Sequence, residues 1–596
     1  MDPANEYARR LAEGQRRVQH YDQWHQWLGN LRLLYALAVL SVGAWLCRSH
    51  VAIGLVFVII IGGIFLSGLV HDRVWKARDF ARRAVLFYQS GLDRLTDQWA
   101  GKQSPGTEFL DPHHPYAADL DLFGRGSVFE LLNAAQTQIG RTTLARWLLQ
   151  RAVPDEIRAR HHAIDELRPN LDLREELAVL SEDVQAHIHT DALIAWANQP
   201  ILLKSTAARL AAFCLPLLTL LLFLAGQSTG ELRPVLLSLA AQGLLGLAYR
   251  RQVREVIRTL DSPVRDLNWL SGLLGRLERQ RFETARLGQL QAGWKEDGTS
   301  ASSAIHRLAQ RFDWLDSRQN ILFAPILFFL LWGTQFAFAI EAWRARFGPQ
   351  IHPWLQGLGE MEALSSLAGY AFEHPNDPFP ELLAAGAPPL MEGDALGHPL
   401  IPEDRCVRND VRLDANNRLL VISGSNMSGK STWLRTLGVN LVLAQAGAPV
   451  RARRLRLAPL QVGASIRTVD SLQEGVSRFY AEITRLRQLI QLSDQLPPLL
   501  FLLDELLGGT NSHDRRVGAA CIVRSLIQRG AIGLITTHDL ALTQIAQEVK
   551  PPGANFHFED QLEKGRMSFD YQLRAGIVEK SNALALMRSL GLEVTE

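Results

Sequence analysis

Nine residues, Gly424-Ser-Asn-Met-Ser-Gly-Lys-Ser-Thr432, constrain this chain more than any others. They fit the spacing G-x-x-x-x-G-K-[ST]. The apolar run Arg418–Ser423 precedes them as a buried strand, and the helical run that starts at Trp433 follows. A loop of this kind wraps phosphate oxygens with backbone N–H groups, and the N-terminus of the next helix adds partial positive charge. Gly424, Ser425, Asn426, Met427, Ser428, Gly429, Lys430, Ser431 and Thr432 are therefore the expected nucleotide-binding residues. Lys430 is expected to reach the β- and γ-phosphates and Ser431 to ligate Mg²⁺.

Two later segments supply the partners such a loop needs. Leu499–Glu505 is a hydrophobic strand ending in two carboxylates. Asp504 is placed to hold Mg²⁺ and Glu505 to polarise an attacking water. A third buried strand, Ile532–Thr537, ends at His538, where an imidazole can sense the γ-phosphate. The cofactor set implied is ATP with Mg²⁺, and the reaction implied is ATP hydrolysis, with Glu505, His538 and Lys430 as the catalytic group.

These segments resemble the ATPase domain of the MutS family. The loop GSNMSGKST is close to that family's G-P-N-M-G-G-K-S-T, with Ser425 in place of Pro and Ser428 in place of Gly. The strand continues as LLDELLGGTNSHD, similar to the family's L-D-E-x-x-x-G-T-x-x-x-D, with Gly509, Thr510 and Asp514 in place. Thr537-His538, His398-Pro399-Leu400 and Asn409-Asp410-Val411 match further landmarks. Asp470–Glu482 resembles the signature stretch, although Arg478 stands where a Thr is usual. By that resemblance Ser477 reaches the γ-phosphate bound by the opposite subunit, which implies a homodimer through the ATPase domain. Asp119–Gly124, Ser127–Asn133 and Thr137–Gly140 look like the start of the family's lever domain, and the segment near residue 360 looks like its end. The C-terminal AGIVEKSNALALMRSLGL resembles a helical dimer-contact tail.

The apolar runs point elsewhere. Residues 33–47 and 51–70 carry no charged side chain and are separated by Arg48, Ser49 and His50. A bilayer core needs about 20 apolar residues per helix, so these two read as a transmembrane hairpin. Arginines and lysines flank both sides of the pair, from Arg9 to Arg32 and from Arg73 to Arg83, and place both flanks in the cytoplasm. A second apolar pair, 210–226 and 234–249, follows with basic residues outside it. A fifth run, 321–340, is expected to be a core or membrane-surface helix, because an odd number of spans would carry the ATPase out of the cytoplasm.

The expected fold is an α/β P-loop NTPase of the ABC-type, MutS-like class, preceded by a mainly α-helical lever region with transmembrane helices. The expected division is 1–85 with a transmembrane hairpin at about 33–70, 86–384 as the lever-like region with a second apolar hairpin at about 210–249, and 385–596 as the ATPase domain with its helical tail. The charge balance of +2 over 596 residues excludes a globally basic nucleic-acid coat. Four scattered cysteines exclude a disulfide scaffold and a Cys-rich zinc site. No aromatic-x-Glu mismatch reader is found; Phe87-Tyr88-Gln89 reads as a membrane-proximal helix. The basic stripe Arg451, Arg453, Arg454 and Arg456 reads as a solvated strand face, and the charges of 151–185 as solvent-facing helical pairs. The chain thus resembles membrane-anchored MutS-like proteins without a mismatch domain. What this implies is a dimeric ATPase at a bacterial-type inner membrane, its ATPase domain cytoplasmic, coupled to duplex DNA. The alternative is a membrane mechanochemical or scaffold ATPase that binds no DNA.

Overall fold

The computed structural model describes residues 2–49, 53–187, 190–258, 267–296, 298–316, 329–467, 478–508, 510–563 and 566–578. Helices α1 (Pro3–Ser49) and α2 (Ile53–Leu95) pack as a long antiparallel hairpin. Arg32 donates to the Ser67 carbonyl at 2.8 Å, and Arg78 pairs with Asp22. The division expected at residue 86 falls inside α2, which continues unbroken to Leu95. Trp24, Trp27 and Trp75 are exposed beside this stem, as are Leu33, Leu34 and Leu37 above it.

A second hairpin is built from α3 (Thr206–Thr229) and α4 (Arg233–Arg258). Its polarity is inverted relative to a water-soluble pair. Leu210, Phe213, Leu217, Leu221, Leu236, Leu237, Leu244 and Leu247 point outward, while Thr219, Ser238 and Gln242 are buried between the helices. Thr219 and Ser238 share a hydrogen bond of 2.6 Å, and the Gln242 amide donates to Thr219 and to the Leu215 carbonyl. Among the described residues, one helix, α3, is long and apolar enough to cross a membrane.

Helix α5 (Trp332–Glu373) is 42 residues long, about 63 Å at 1.5 Å per residue. It carries the roots of both hairpins. At its start, Gln335 donates to the Ala212 carbonyl at 3.0 Å. That carbonyl lacks its usual helical donor because residue i+4 is Pro216. Glu341 accepts from the Leu202 backbone N–H at 2.6 Å, and Arg344 donates to the Pro200 carbonyl at 2.8 Å. At its end, Glu373 accepts from Tyr7 at 3.2 Å and from Arg94 at 2.8 and 2.6 Å. The first half of the run 321–340 lies partly outside the described residues. Its second half opens α5, with Ala337, Phe338 and Ile340 buried.

Two sheets follow. The smaller contains β1 (Met391–Leu396), β2 (Asn409–Leu413), β4 (Arg454–Leu457) and the two-residue strand Glu381–Leu382. That strand pairs with Arg456 and Leu457, so this sheet includes residues that precede 385. The larger sheet has β3 (Leu419–Ser423), β5 (Gln461–Ser465), β6 (Leu499–Asp504), β7 (Ile532–Thr537), β8 (Ala554–Glu563) and β9 (Arg566–Ala575). Its order is β9-β8-β3-β7-β6-β5, parallel except for the β8–β9 pair. Every residue of β3 and β7 is buried, as expected for parallel strands covered on both faces.

Two surface readings need correction. Arg451 is buried, with Asp377 at 3.5 Å and Glu403 against its guanidinium. The stripe is therefore not a uniform solvated face, although Arg454 and Arg456 do pair with Glu381 and Glu392 on its outer side. Within 151–185, Arg160 and Arg174 are likewise buried.

Candidate functional site

The parallel strands align their C-terminal ends. Thr536 of β7 lies opposite both Ile422 of β3 and Asp504 of β6. The phosphate loop, the Asp504-Glu505 pair and His538 therefore leave the sheet along one edge, where open α/β sheets bind ligands. The loop passes into α6 (Lys430–Ala446) through Gly429, whose φ of 99° is left-handed. A Cβ on Gly429 would stand 3.0 Å from the Tyr571 ring, so both backbone and space demand glycine there.

Lys430 is buried, and its ammonium donates to the Gly424 and Ser425 carbonyls at 2.9 and 2.7 Å. Burial holds this ammonium below the usual lysine value, against the opposing pull of Glu505 and Asp504. The hydroxyls of Ser425 and Ser428 are buried with no hydrogen-bond partner among the described residues. A loop of turned-in donors around a lysine fits an anion with several acceptor oxygens.

Asp504 accepts from the Thr536 hydroxyl, which fixes one carboxylate oxygen. Glu505 has a φ of 47°, rare for a residue with a Cβ, and its backbone N–H reaches the Thr536 carbonyl at 3.3 Å. This turn throws its carboxylate away from Asp504 and toward His538, whose Nδ1 lies 3.2 Å from Glu505 Oε1. Both side chains are half-exposed, and Glu505 lines the cleft. The cleft has a volume of about 760 Å³; Asn426, Met427, Gly429, Lys430, Ser431, Thr432, Asp504 and Glu505 line it. Thr432 and Ser431 open α6 on its floor. Ser477 and Gly509 lie outside the described residues, as does the tail from 579 onward.

The sequence landmarks also place Glu482, Asn409 and His398 at the site, and Thr536 joins them. Glu482 is buried in the cleft wall and accepts the Leu507 N–H at 2.6 Å, which holds the turn after Glu505. Thr536 holds Asp504; the run Thr536-Thr537-His538 offered that signal. Asn409 clamps β9, donating to the Tyr571 carbonyl at 3.0 Å and accepting from Leu573 N–H at 2.8 Å. His398 lines the opposite wall; burial, with the Arg435 charge behind it, pushes its imidazole down to about 4. It is neutral near pH 7.

The helical region grips the phosphate-binding helix at three heights. Arg435 donates to the Asp119 carbonyl at 2.9 Å, and Leu120 packs where a Cβ on Gly438 would come within 2.6 Å of it. At the helix end, Arg160 donates to the Ala446 carbonyl at 2.9 Å, its guanidinium lying 3.8 Å from the Trp147 ring centroid. The Asp119 carboxylate accepts both the Ile466 and Arg467 N–H groups at 2.7 Å. The segment around Asp119 is thus part of the cleft's scaffold.

Residues 420–594 match the family model described as MutS domain V. That match contains all but the first residue of β3, the loop, α6, both carboxylates and His538. The site thus lies in a segment of this chain similar to MutS domain V. Over 203 residues it is 37% identical to "Endonuclease MutS2" of Thermus thermophilus, covering 33% of this chain and 25% of that protein. Over 250 residues it is 32% identical to "DNA mismatch repair protein MutS 2" of Halobacterium salinarum, covering 40% and 27%. Over 219 residues it is 32% identical to "Endonuclease MutS2" of an Anaeromyxobacter species, covering 36% and 27%. The chain thus spans about a quarter of the length of these MutS relatives.

Proposed function

We propose that this MutS-like chain binds and hydrolyses ATP as a homodimer, is anchored in a membrane, and couples its nucleotide cycle to duplex DNA. The observation that carries the ATPase reading is the convergence of Lys430, Asp504, Glu505 and His538 on one strand edge. In the proposed roles, Lys430 neutralises the phosphates and Ser431 with Asp504 holds Mg²⁺. The metal, when bound, draws electron density from the transferring phosphoryl group. Glu505 takes the proton of the attacking water, and His538 holds that carboxylate in position. Ser477 of the partner subunit is proposed to complete the γ-phosphate contacts.

The DNA part rests on a relative whose name carries DNA mismatch repair and on others named endonucleases. The membrane part rests on the outward leucines and inward polar groups of α3 and α4. A soluble protein exposing that much contiguous apolar surface would aggregate, whereas bilayer helices hide their polar side chains against one another. The proposed setting is a bacterial-type inner membrane with the ATPase domain on the cytoplasmic side. The same hairpin favours a second reading, in which the cycle works on the bilayer and no DNA is bound. Hydrolysis by the detergent-purified chain, with and without homoduplex, mismatched and branched DNA at two salt concentrations, separates the two. Stimulation by one DNA form, weaker at high salt, is the expected result. Turnover indifferent to every DNA would overturn the coupling to DNA and leave the second reading.

A further inference from the structure

One face of α4 changes character along its length. Leu237, Leu244 and Leu247 are exposed at 73%, 69% and 66%. The same stripe continues through Arg251, Arg254 and Arg258, each three or four residues on and each exposed. Arg250 stands beside them, also exposed. No side-chain hydrogen bond or ion pair joins Arg250, Arg251, Arg254 or Arg258 to another described residue, and Glu255 is the acidic side chain among them.

The neighbouring element adds charge of the same sign. Thr219 faces Ser238 and Gln242 across the hairpin, so Arg209, ten residues before Thr219, lies level with the Arg250 turn. Arg307 exposes its guanidinium in the same quarter. Burial and the charges of Arg307 and Arg209 together hold the nearby Arg311 below the usual arginine value. The opposite end of the hairpin carries Glu231 and Arg233, which balance. Among the described residues, a cluster of cations without ion-paired partners therefore lies at one end of an apolar-faced hairpin and not at the other.

We propose that this cluster, Arg250, Arg251, Arg254 and Arg258 with Arg209 and Arg307 beside it, binds the headgroups of anionic phospholipids. The proposal rests on the membrane-anchored reading above. The leucine stripe lies at acyl-chain depth, and the next two turns of the same face carry the guanidinium groups to phosphate depth. Arginine forks match phosphate oxygens, and each cation near an anionic surface adds attraction. A DNA duplex would also attract these arginines, but it would leave the continuous leucine face beside them in water.

The test uses the full chain in a neutral detergent. Fluorescent short-chain phosphatidylglycerol, fluorescent short-chain phosphatidylcholine and a fluorescein-labelled duplex are titrated against wild type and against R250Q/R251Q/R254Q/R258Q. Wild type is expected to bind phosphatidylglycerol about tenfold or more tightly than phosphatidylcholine. The variant is expected to lose that preference. Equal affinity for the two lipids, or a preference unchanged in the variant, would overturn the proposal. Loss of duplex binding in the variant with no change toward lipid would assign the cluster to DNA instead. Carbonate washing of cell membranes is run in parallel on both proteins. Retention of both keeps the anchoring intact whatever the lipid result, and release of wild type would refute the anchoring itself. Should the quadruple variant fail to fold, R254Q/R258Q, at the stripe's far end, is expected to lower the preference severalfold.

Discussion

Glu505→Gln is expected to bind ATP normally and to turn it over about 100-fold or more slowly. The amide keeps the size and the hydrogen-bonding reach of the carboxylate but cannot accept the proton of an attacking water. Binding should survive because the phosphate contacts belong to the loop and Lys430, whose ammonium sits among the Gly424 and Ser425 carbonyls. The backbone at Glu505 gives the expectation its force. A φ of 47° is unfavourable for any residue with a Cβ, and here it aims the side chain at His538 and the open cleft. The conformation places a carboxylate where packing alone has no use for one. Single-turnover hydrolysis alongside equilibrium ATP binding checks both halves. Turnover near the wild-type rate would remove Glu505 from the chemistry.

The second large effect lies far from the nucleotide. Glu373→Gln is expected to destabilise the helical region by about 3–5 kcal/mol, the range seen when one partner of a buried ion pair is removed. Glu373 has no exposed side-chain surface, and Arg94 is 8% exposed. The glutamine would leave the Arg94 guanidinium buried without its counter-charge, and the Tyr7 hydroxyl would lose its charged acceptor. Because Tyr7 begins α1 and Arg94 ends α2, the loss would loosen the root of the whole first hairpin. The double change Glu373→Gln with Arg94→Met is expected to recover part of the loss, since it removes the stranded charge. Denaturation midpoints of the two variants against wild type provide the measurement. A cost below about 1 kcal/mol for Glu373→Gln would mean that the pair behaves as a solvated surface bridge.

The cleft at the strand ends could be read from the sequence because its parts are local. Loop, strand and helix are adjacent in the chain, and the spacing of Gly424, Gly429 and Lys430 has few other uses. Elements held by distant partners left no such trace. The Arg94–Glu373 pair spans 279 residues, and neither position differs in pattern from its exposed neighbours. Arg451 looked like one of a row of surface arginines, yet Asp377 and Glu403 draw it inside. Asp119 was legible as part of a motif but not as the group that fixes Ile466 and Arg467, because a backbone N–H partner carries no residue code. One short strand before residue 385 left no trace for a related reason. Glu381–Leu382 is too short to show a period of two, and only its pairing with β4 makes it a strand. The inward polarity of α3 and α4 was hidden in the same way, since Thr219, Ser238 and Gln242 read as mere interruptions of apolar runs until their hydrogen bonds were visible.

The most direct test of the account is Mg²⁺-dependent ATP binding and hydrolysis by the purified full chain, measured side by side with Lys430→Ala. The account predicts that wild type binds and hydrolyses ATP and that Lys430→Ala, folded to the same denaturation midpoint, loses detectable binding and turnover together. Undiminished turnover in the alanine variant, or a wild-type chain that binds no nucleotide, would contradict it.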